Sequence, residues 1–211
     1  IKVPTPAFGA STGTYTNDQS ITLSNSLSGA TILYKLGAAS FGTYTGAFNT
    51  AGTGTYTAYA TKANYTNSDE VSATYTIKLT APTISVSSGT FDNDFNVTIS
   101  GPAGSTIRYT LNGNTPDSNS SIYSGAISIA GTKTLKALAQ KNGYSDSNVS
   151  TGAYTLVVAD PTFNPPAGDV LLGDLITIET TTTGATIYYT TDGTTPSISS
   201  TAYTGPIAIT E

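Results

Sequence analysis

Gly184-Ala185-Thr186-Ile187-Tyr188-Tyr189-Thr190-Thr191-Asp192-Gly193-Thr194-Thr195-Pro196 reads as a β-strand running into a tight turn, and the chain carries this stretch three times. The second copy is Gly104-Ser105-Thr106-Ile107-Arg108-Tyr109-Thr110-Leu111-Asn112-Gly113-Asn114-Thr115-Pro116, and the first is abbreviated to Gly29-Ala30-Thr31-Ile32-Leu33-Tyr34-Lys35-Leu36-Gly37. Thr, Ile and Tyr suit a pleated, half-buried strand. Asp-Gly and Asn-Gly suit a turn, because Asp and Asn tolerate positive φ and Gly has no Cβ to clash. Recurrence at a long fixed period is the signature of a modular array. Pro4-Thr5, Pro82-Thr83 and Pro161-Thr162 set that period, lying 78 and then 79 residues apart. They divide the chain into residues 1–80, 81–159 and 160–211. Ile1-Lys2-Val3 matches Ile77-Lys78-Leu79, so the first three residues read as the tail of a preceding unit.

Ahead of each copy of that stretch, apolar residues alternate: Ile21 and Leu23, Val97 and Ile99, Ile176 and Ile178. A period of two places them on one face of a strand. Ile32/Tyr34, Ile107/Tyr109 and Ile187/Tyr189 keep their chemistry from copy to copy, whereas Leu33, Arg108 and Tyr188 between them do not. The constant face is therefore expected in the core and the varying face in solvent. Tyr75 and Tyr154, near the end of each last strand, are expected in the core with Tyr34, Tyr109 and Tyr189, each needing a partner for its hydroxyl. Tyr56-Thr57-Ala58-Tyr59-Ala60 matches Leu135-Lys136-Ala137-Leu138-Ala139, and alanines on one face imply close approach by the facing sheet. Turns follow at Ala63-Asn64 and Asn142-Gly143. Short strands punctuated by turn residues, with nothing at helical period, predict tandem all-β antiparallel sandwiches. The third unit stops before the counterparts of Gly131 to Tyr154 and is incomplete within this chain. It is expected to be completed by continuation of the natural polypeptide, or else by another chain.

Composition closes off most chemistry. The 211 residues include 10% charged side chains, against roughly 25% in an average globular chain. A formal charge of −5, without clustered Lys or Arg, argues against nucleic acid and anionic membranes as partners. No apolar run approaches the roughly 18 residues of a membrane-inserting span. Cys and His are absent, which removes disulfides, thiol nucleophiles, thiolate metal sites and the usual general base. Lack of Cys, Met and Trp suits an oxidising exterior. No catalytic, cofactor-binding or metal-binding residue is assigned, and no cofactor is expected.

The remaining motifs have simple readings. Asp92-Asn93-Asp94 begins like a calcium loop but lacks the Gly and distal Glu, so it reads as a polar turn before Phe95. Tyr59 and Tyr188 fall on outward faces and are the candidates for stacking on a sugar. Asn64, Asn96, Asn119 and Asn148 each start an N-glycosylation acceptor pattern, of which a Ser/Thr-rich chain yields chance matches.

Thr186 to Pro196, followed by Ser199-Ser200-Thr201-Ala202-Tyr203-Thr204-Gly205-Pro206-Ile207, resembles the C-terminal β-sandwich module of bacterial chitobiases and β-hexosaminidases. Thr134-Leu135-Lys136-Ala137-Leu138-Ala139 and Gly143-Tyr144-Ser145-Asp146-Ser147 extend the resemblance to the module's end. The first copy departs from it by lacking the Asp-Gly-x-x-Pro turn. The resemblance implies immunoglobulin-like sandwiches that are not themselves catalytic, and it carries over no active-site residue. Such modules sit behind catalytic domains or form tandem repeats in secreted and surface proteins. The expectation is a structural repeat segment of a large extracellular or cell-surface prokaryotic protein: a stalk, filament or adhesin stem. Its expected partners are further repeats of the same polypeptide or neighbouring copies in an assembly, with glycans as a further class. The alternative is a carbohydrate-binding accessory module of a secreted glycoside hydrolase.

Overall fold

The computed structural model describes residues 1–210, and these form strands and turns with no helix. The first repeat contributes β1 (Ala7–Phe8), β2 (Gly13–Tyr15), β3 (Ser20–Ile21), β4 (Leu23–Ser24), β5 (Thr31–Leu36), β6 (Gly42–Thr43), β7 (Phe48–Asn49), β8 (Gly54–Thr61) and β9 (Val71–Ile77). The second runs through the same series as β10 (Thr83–Ile84), β11 (Gly89–Phe91), β12 (Phe95–Val97), β13 (Ile99–Ser100), β14 (Thr106–Thr110), β15 (Ser121–Ile122), β16 (Ile127–Ile129), β17 (Lys133–Gln140) and β18 (Ser150–Leu156). The third contributes β19 (Thr162–Asn164), β20 (Leu175–Glu179), β21 (Tyr188–Tyr189), β22 (Thr201–Ala202) and β23 (Ile207–Ala208). These strands gather into two compact units. One holds residues 1–85, 99–125 and 135–151; the other holds residues 86–98, 126–134 and the chain from 152 onward.

In the first unit the sandwich is complete. One face is the five-stranded sheet β2-β9-β8-β5-β6, and the other is made by the pairs β1·β4 and β3·β7. The apolar alternation through Ile21 and Leu23 serves both pairs, because the chain switches partner at Thr22: Ile21 lies opposite Phe48 and Leu23 opposite Phe8. Between the layers sit Val3, Leu23, Ile32, Ala58 and Ala60, and beside them Ile21, Tyr56, Ala73, Tyr75 and Ile77. Burial of each large apolar side chain contributes roughly 1.5–3 kcal/mol. Ala58 and Ala60 stand opposite Tyr34 and Ile32 across β5·β8, and Ala137 and Ala139 hold the same places opposite Tyr109 and Ile107 across β14·β17. The same unit also pairs β10 with β13 and β14 with β15.

Tyr75 is fully buried and donates its hydroxyl to the Ala10 carbonyl at 2.9 Å. In the second unit Tyr154 does the same to Val86 at 2.8 Å. Burial pushes both phenols above their ordinary value. The other three tyrosines expected in the core, Tyr34, Tyr109 and Tyr189, are only half-buried. Tyr34 shares its cover with the rings of Phe48 and Tyr44.

One feature departs from simple antiparallel pairing. β2 runs parallel to β9, and β11 parallel to β18. These edge strands are three residues long and pair with segments about sixty residues away, so local alternation gives no sign of them. The third repeat follows from this. It pairs β20 with β19 and β23, and β21 with β22. A β2-type strand needs a β9-type partner, and the third repeat forms neither among the described residues. Likewise the Gly184–Pro196 stretch keeps only Tyr188–Tyr189 as strand, because a β8-type strand is what holds the full length of β5 and β14. The turns form as read: Gly113 and Gly193 take φ of +80° and +78°, and Asn112 and Asp192 accept the N–H two residues on.

Candidate functional site

Of the two residues singled out as sugar platforms, Tyr59 alternates with the fully buried Ala58 and Ala60 and so lies on the outer face of β8, whereas Tyr188 is half-buried and lines an apolar groove with Ile187 and Tyr189. Tyr59 sits on β8 with its ring edge-on to Phe41, centroids 4.8 Å apart, and the Lys35 ammonium lies 4.6 Å over that Phe41 ring. Tyr188 is half-buried on β21, opposite Ala202. Asn64, Asn96, Asn119 and Asn148 are exposed. Asn64 occupies the left-handed region at φ +66°, Asn96 lies on β12, and Asn119 donates its backbone N–H to Asp117. The Asn148 carboxamide oxygen accepts from Lys78 at 2.8 Å. Among the described residues no three His, Cys, Asp or Glu side chains gather where they would hold a metal ion.

What the first unit builds instead is a joint. Beyond β9 the tail Ile77-Lys78-Leu79 enters the second repeat and bridges Ser145 in parallel, with Ser145 N–H donating to Ile77 at 2.9 Å and Leu79 N–H to Ser145 at 3.0 Å. Leu79 is thereby 7% exposed. Ile1-Lys2-Val3 makes the same bridge to Thr66, leaving Val3 2% exposed. Lys2 pairs with Asp69 where Lys78 meets Asn148. The opening tripeptide thus makes the contacts of its counterpart Ile77-Lys78-Leu79.

The turn that receives the tail is itself seated on the first repeat. Tyr144 donates its hydroxyl to the Asp18 carboxylate at 2.7 Å, and Gly52 N–H reaches the other carboxylate oxygen at 3.0 Å. Thr53 N–H donates to the Gly143 carbonyl at 2.6 Å. A Cβ on Gly52 would stand 2.3 Å from that carbonyl oxygen, and Gly52 has φ +102°, so only glycine fits. The Tyr144 ring packs on the Ile21–Ile77 cluster, with the Lys141 ammonium 4.2 Å over it. Partial burial alone would raise the Asp18 carboxyl. Hydrogen bonds from Tyr144, Gly52 and Thr50, with the charge of Lys141, outweigh it and hold the carboxyl below its ordinary value. The same bond to Asp18 raises the Tyr144 phenol.

Sequence reasoning passed over Asp18, Gly52 and Tyr144. Their signal was repetition: Asp94 and Gly131 recur at the corresponding places of the second copy, and Asn64-Tyr65-Thr66 answers Gly143-Tyr144-Ser145.

The family profile described as "Chitobiase/beta-hexosaminidase C-terminal domain" matches residues 86–151 and 165–211, over half of the sequence. The chain belongs to this family. The first repeat lies outside the match, yet its strand series and pairings are those of the second, so this chitobiase C-terminal-type module is present in tandem. Nothing among curated proteins matches. Solved structures similar to the chain include the BSP domain of a biofilm associated protein, at 22% identity and a TM-score of 0.26 over 74% of this chain. The chain spans only 30% of that structure. Fibronectin(III)-like modules of Clostridium thermocellum CbhA match at 13% identity and a TM-score of 0.26, covering 72% of this chain and 93% of theirs. Murine CEACAM1b matches at 12% identity and a TM-score of 0.25, covering 72% and 98%. No helix among the described residues is long and apolar enough to cross a membrane.

Proposed function

We propose that the chain is a non-catalytic structural segment of an extracellular or cell-surface prokaryotic protein, a stalk, filament or adhesin stem, organised as repeats 1–80, 81–159 and 160–211. The observation that carries this reading is the joint: the tail of one repeat is paired by backbone hydrogen bonds with a turn of the next, and Leu79 at its end is buried. Linked repeats of this kind make stability a sum of repeats and their interfaces, which suits a load-bearing array. Its partners are further repeats or neighbouring copies.

Two measurements on the intact chain test it. Single-molecule pulling is expected to give discrete unfolding events, and glycan-array and polysaccharide pull-down assays no saturable binding. Saturable sugar binding lost on Tyr59→Ala or Tyr188→Ala would replace this reading with the carbohydrate-binding accessory module.

A further inference from the structure

The second unit carries a groove of about 510 Å³ whose lining includes Asn93, Asp94, Gly131, Leu156, Val157 and Val158. Five of these are the counterparts of the seat that holds Gly143-Tyr144-Ser145 in the first unit. Asp94 answers Asp18, Gly131 answers Gly52, and Leu156-Val157-Val158 answer Ile77-Lys78-Leu79. The supporting bonds are already in place. Thr132 Oγ1 accepts the Leu156 N–H at 3.0 Å as Thr53 Oγ1 accepts the Ile77 N–H at 2.9 Å, and Val157 N–H bonds to Phe91 as Lys78 N–H bonds to Tyr15.

What differs is the occupant. Val157 and Val158 are 49% and 63% exposed, against 7% for Leu79. A Cβ on Gly131 would meet nothing within 4 Å, where one on Gly52 would strike the Gly143 carbonyl. The chain has two turns of the required type, Lys62–Asp69 and Lys141–Asn148, and each already rests on a tail of its own.

A second groove of about 460 Å³ lies over the third repeat, among Phe163, Ile176, Ile187, Tyr189 and Ile207. In the first two repeats the matching Ile and Tyr of β5 and β14 face Ala60 and Ala58, or Ala139 and Ala137, on the strand leading into the turn. One hairpin in the first unit thus supplies both the alanine strand and the Gly-Tyr-Ser turn.

We propose that both grooves are the docking site for a single β-hairpin of this repeat family. Its incoming strand carries x-Ala-x-Ala, and its turn reads Lys-Asn-Gly-Tyr-Ser. The alanines of the strand face Tyr189 and Ile187. The tyrosine of the turn donates its hydroxyl to Asp94, and its serine bridges Leu156 and Val158. The site stands on this seat geometry and does not depend on the role of the array.

The test adds a synthetic peptide of residues 134–156, the second repeat's own hairpin, to the 211-residue protein. Binding is followed by titration and by amide hydrogen exchange. Saturable one-to-one binding is expected, with slowed exchange at Tyr189 and Val158. Asp94→Ala in the protein and Tyr144→Phe in the peptide should each weaken it roughly tenfold, the cost of a hydrogen bond to a charged group, and together no more than either alone. Gly131→Ala should block the turn. Asp94 is exposed, so its variant is expected to keep the parent's unfolding midpoint. Absence of saturable binding overturns the proposal. So does binding indifferent to Asp94→Ala and Gly131→Ala, or closure of the grooves by self-association or by a chito-oligosaccharide in the peptide's place.

Discussion

The joint that follows the first repeat is filled, and its counterpart after the second is open, although the two are built from matching residues. Asp18, Gly52 and Leu79 are engaged by a turn; Asp94, Gly131 and Val158 line a groove. The difference shows that the seat does not need its occupant in order to form. Hydrogen bonds from the Ile77 and Leu156 N–H groups to the Thr53 and Thr132 hydroxyls set it up from within one repeat. The occupant then adds burial and a charge-assisted hydrogen bond. Stability at a joint is therefore expected to depend on the neighbour, while the fold of each seat does not.

The two joints should differ most at the paired glycines. Gly52→Ala forces a Cβ against the Gly143 carbonyl in a strained backbone region, and a loss of about 3 kcal/mol is expected. Gly131→Ala has the φ penalty without the clash, and should cost about 1 kcal/mol in the same urea unfolding experiment. Next come the tails. Leu79→Ala should cost about 2–3 kcal/mol as a core truncation, whereas Val158→Ala should stay within about 0.5 kcal/mol as a surface change. Equal losses at the two positions would contradict the account.

Smaller effects sharpen it. Tyr144→Phe keeps the ring on its cluster and removes the bond to Asp18, for a loss of about 1 kcal/mol by denaturant unfolding. That loss is expected to depend on pH. Asp18 titrates below 3.8 when folded, so its contribution is full above that value and fades as pH falls through the lower, folded one. Tyr144 titrates above 10.0 when folded, so its contribution is full below pH 10 and fades as pH rises through the higher, folded value. The difference in stability between parent and Tyr144→Phe should therefore be flat across neutral pH and shrink at both extremes. A difference unchanged at either extreme would show that the bond is not made in solution.

Much of the fold was legible because its determinants are local. Period-two alternation at Ile21/Leu23 and Val97/Ile99, the Gly-containing turns, and the recurrence of Ile1-Lys2-Val3 as Ile77-Lys78-Leu79 each involve neighbours in sequence. The core roles of Tyr75 and Tyr154 followed from their place at the end of a repeated strand. Half-burial of Tyr34, Tyr109 and Tyr189 did not follow, since it depends on how far the opposite layer reaches. The parallel strands β2 and β11 were hidden by their shortness and distant partners. The joint was the least legible feature: Asp18 and Tyr144 lie 126 residues apart, and each looks like an ordinary turn residue until the other is set beside it.

Amide hydrogen exchange on the intact chain tests the shared-tail joint most directly, through the N–H groups of Leu79 and Val158. Strong protection is expected at Leu79, whose N–H is held by Ser145 at 3.0 Å, and exchange close to that of free peptide at Val158. Comparable exchange at the two positions would contradict it.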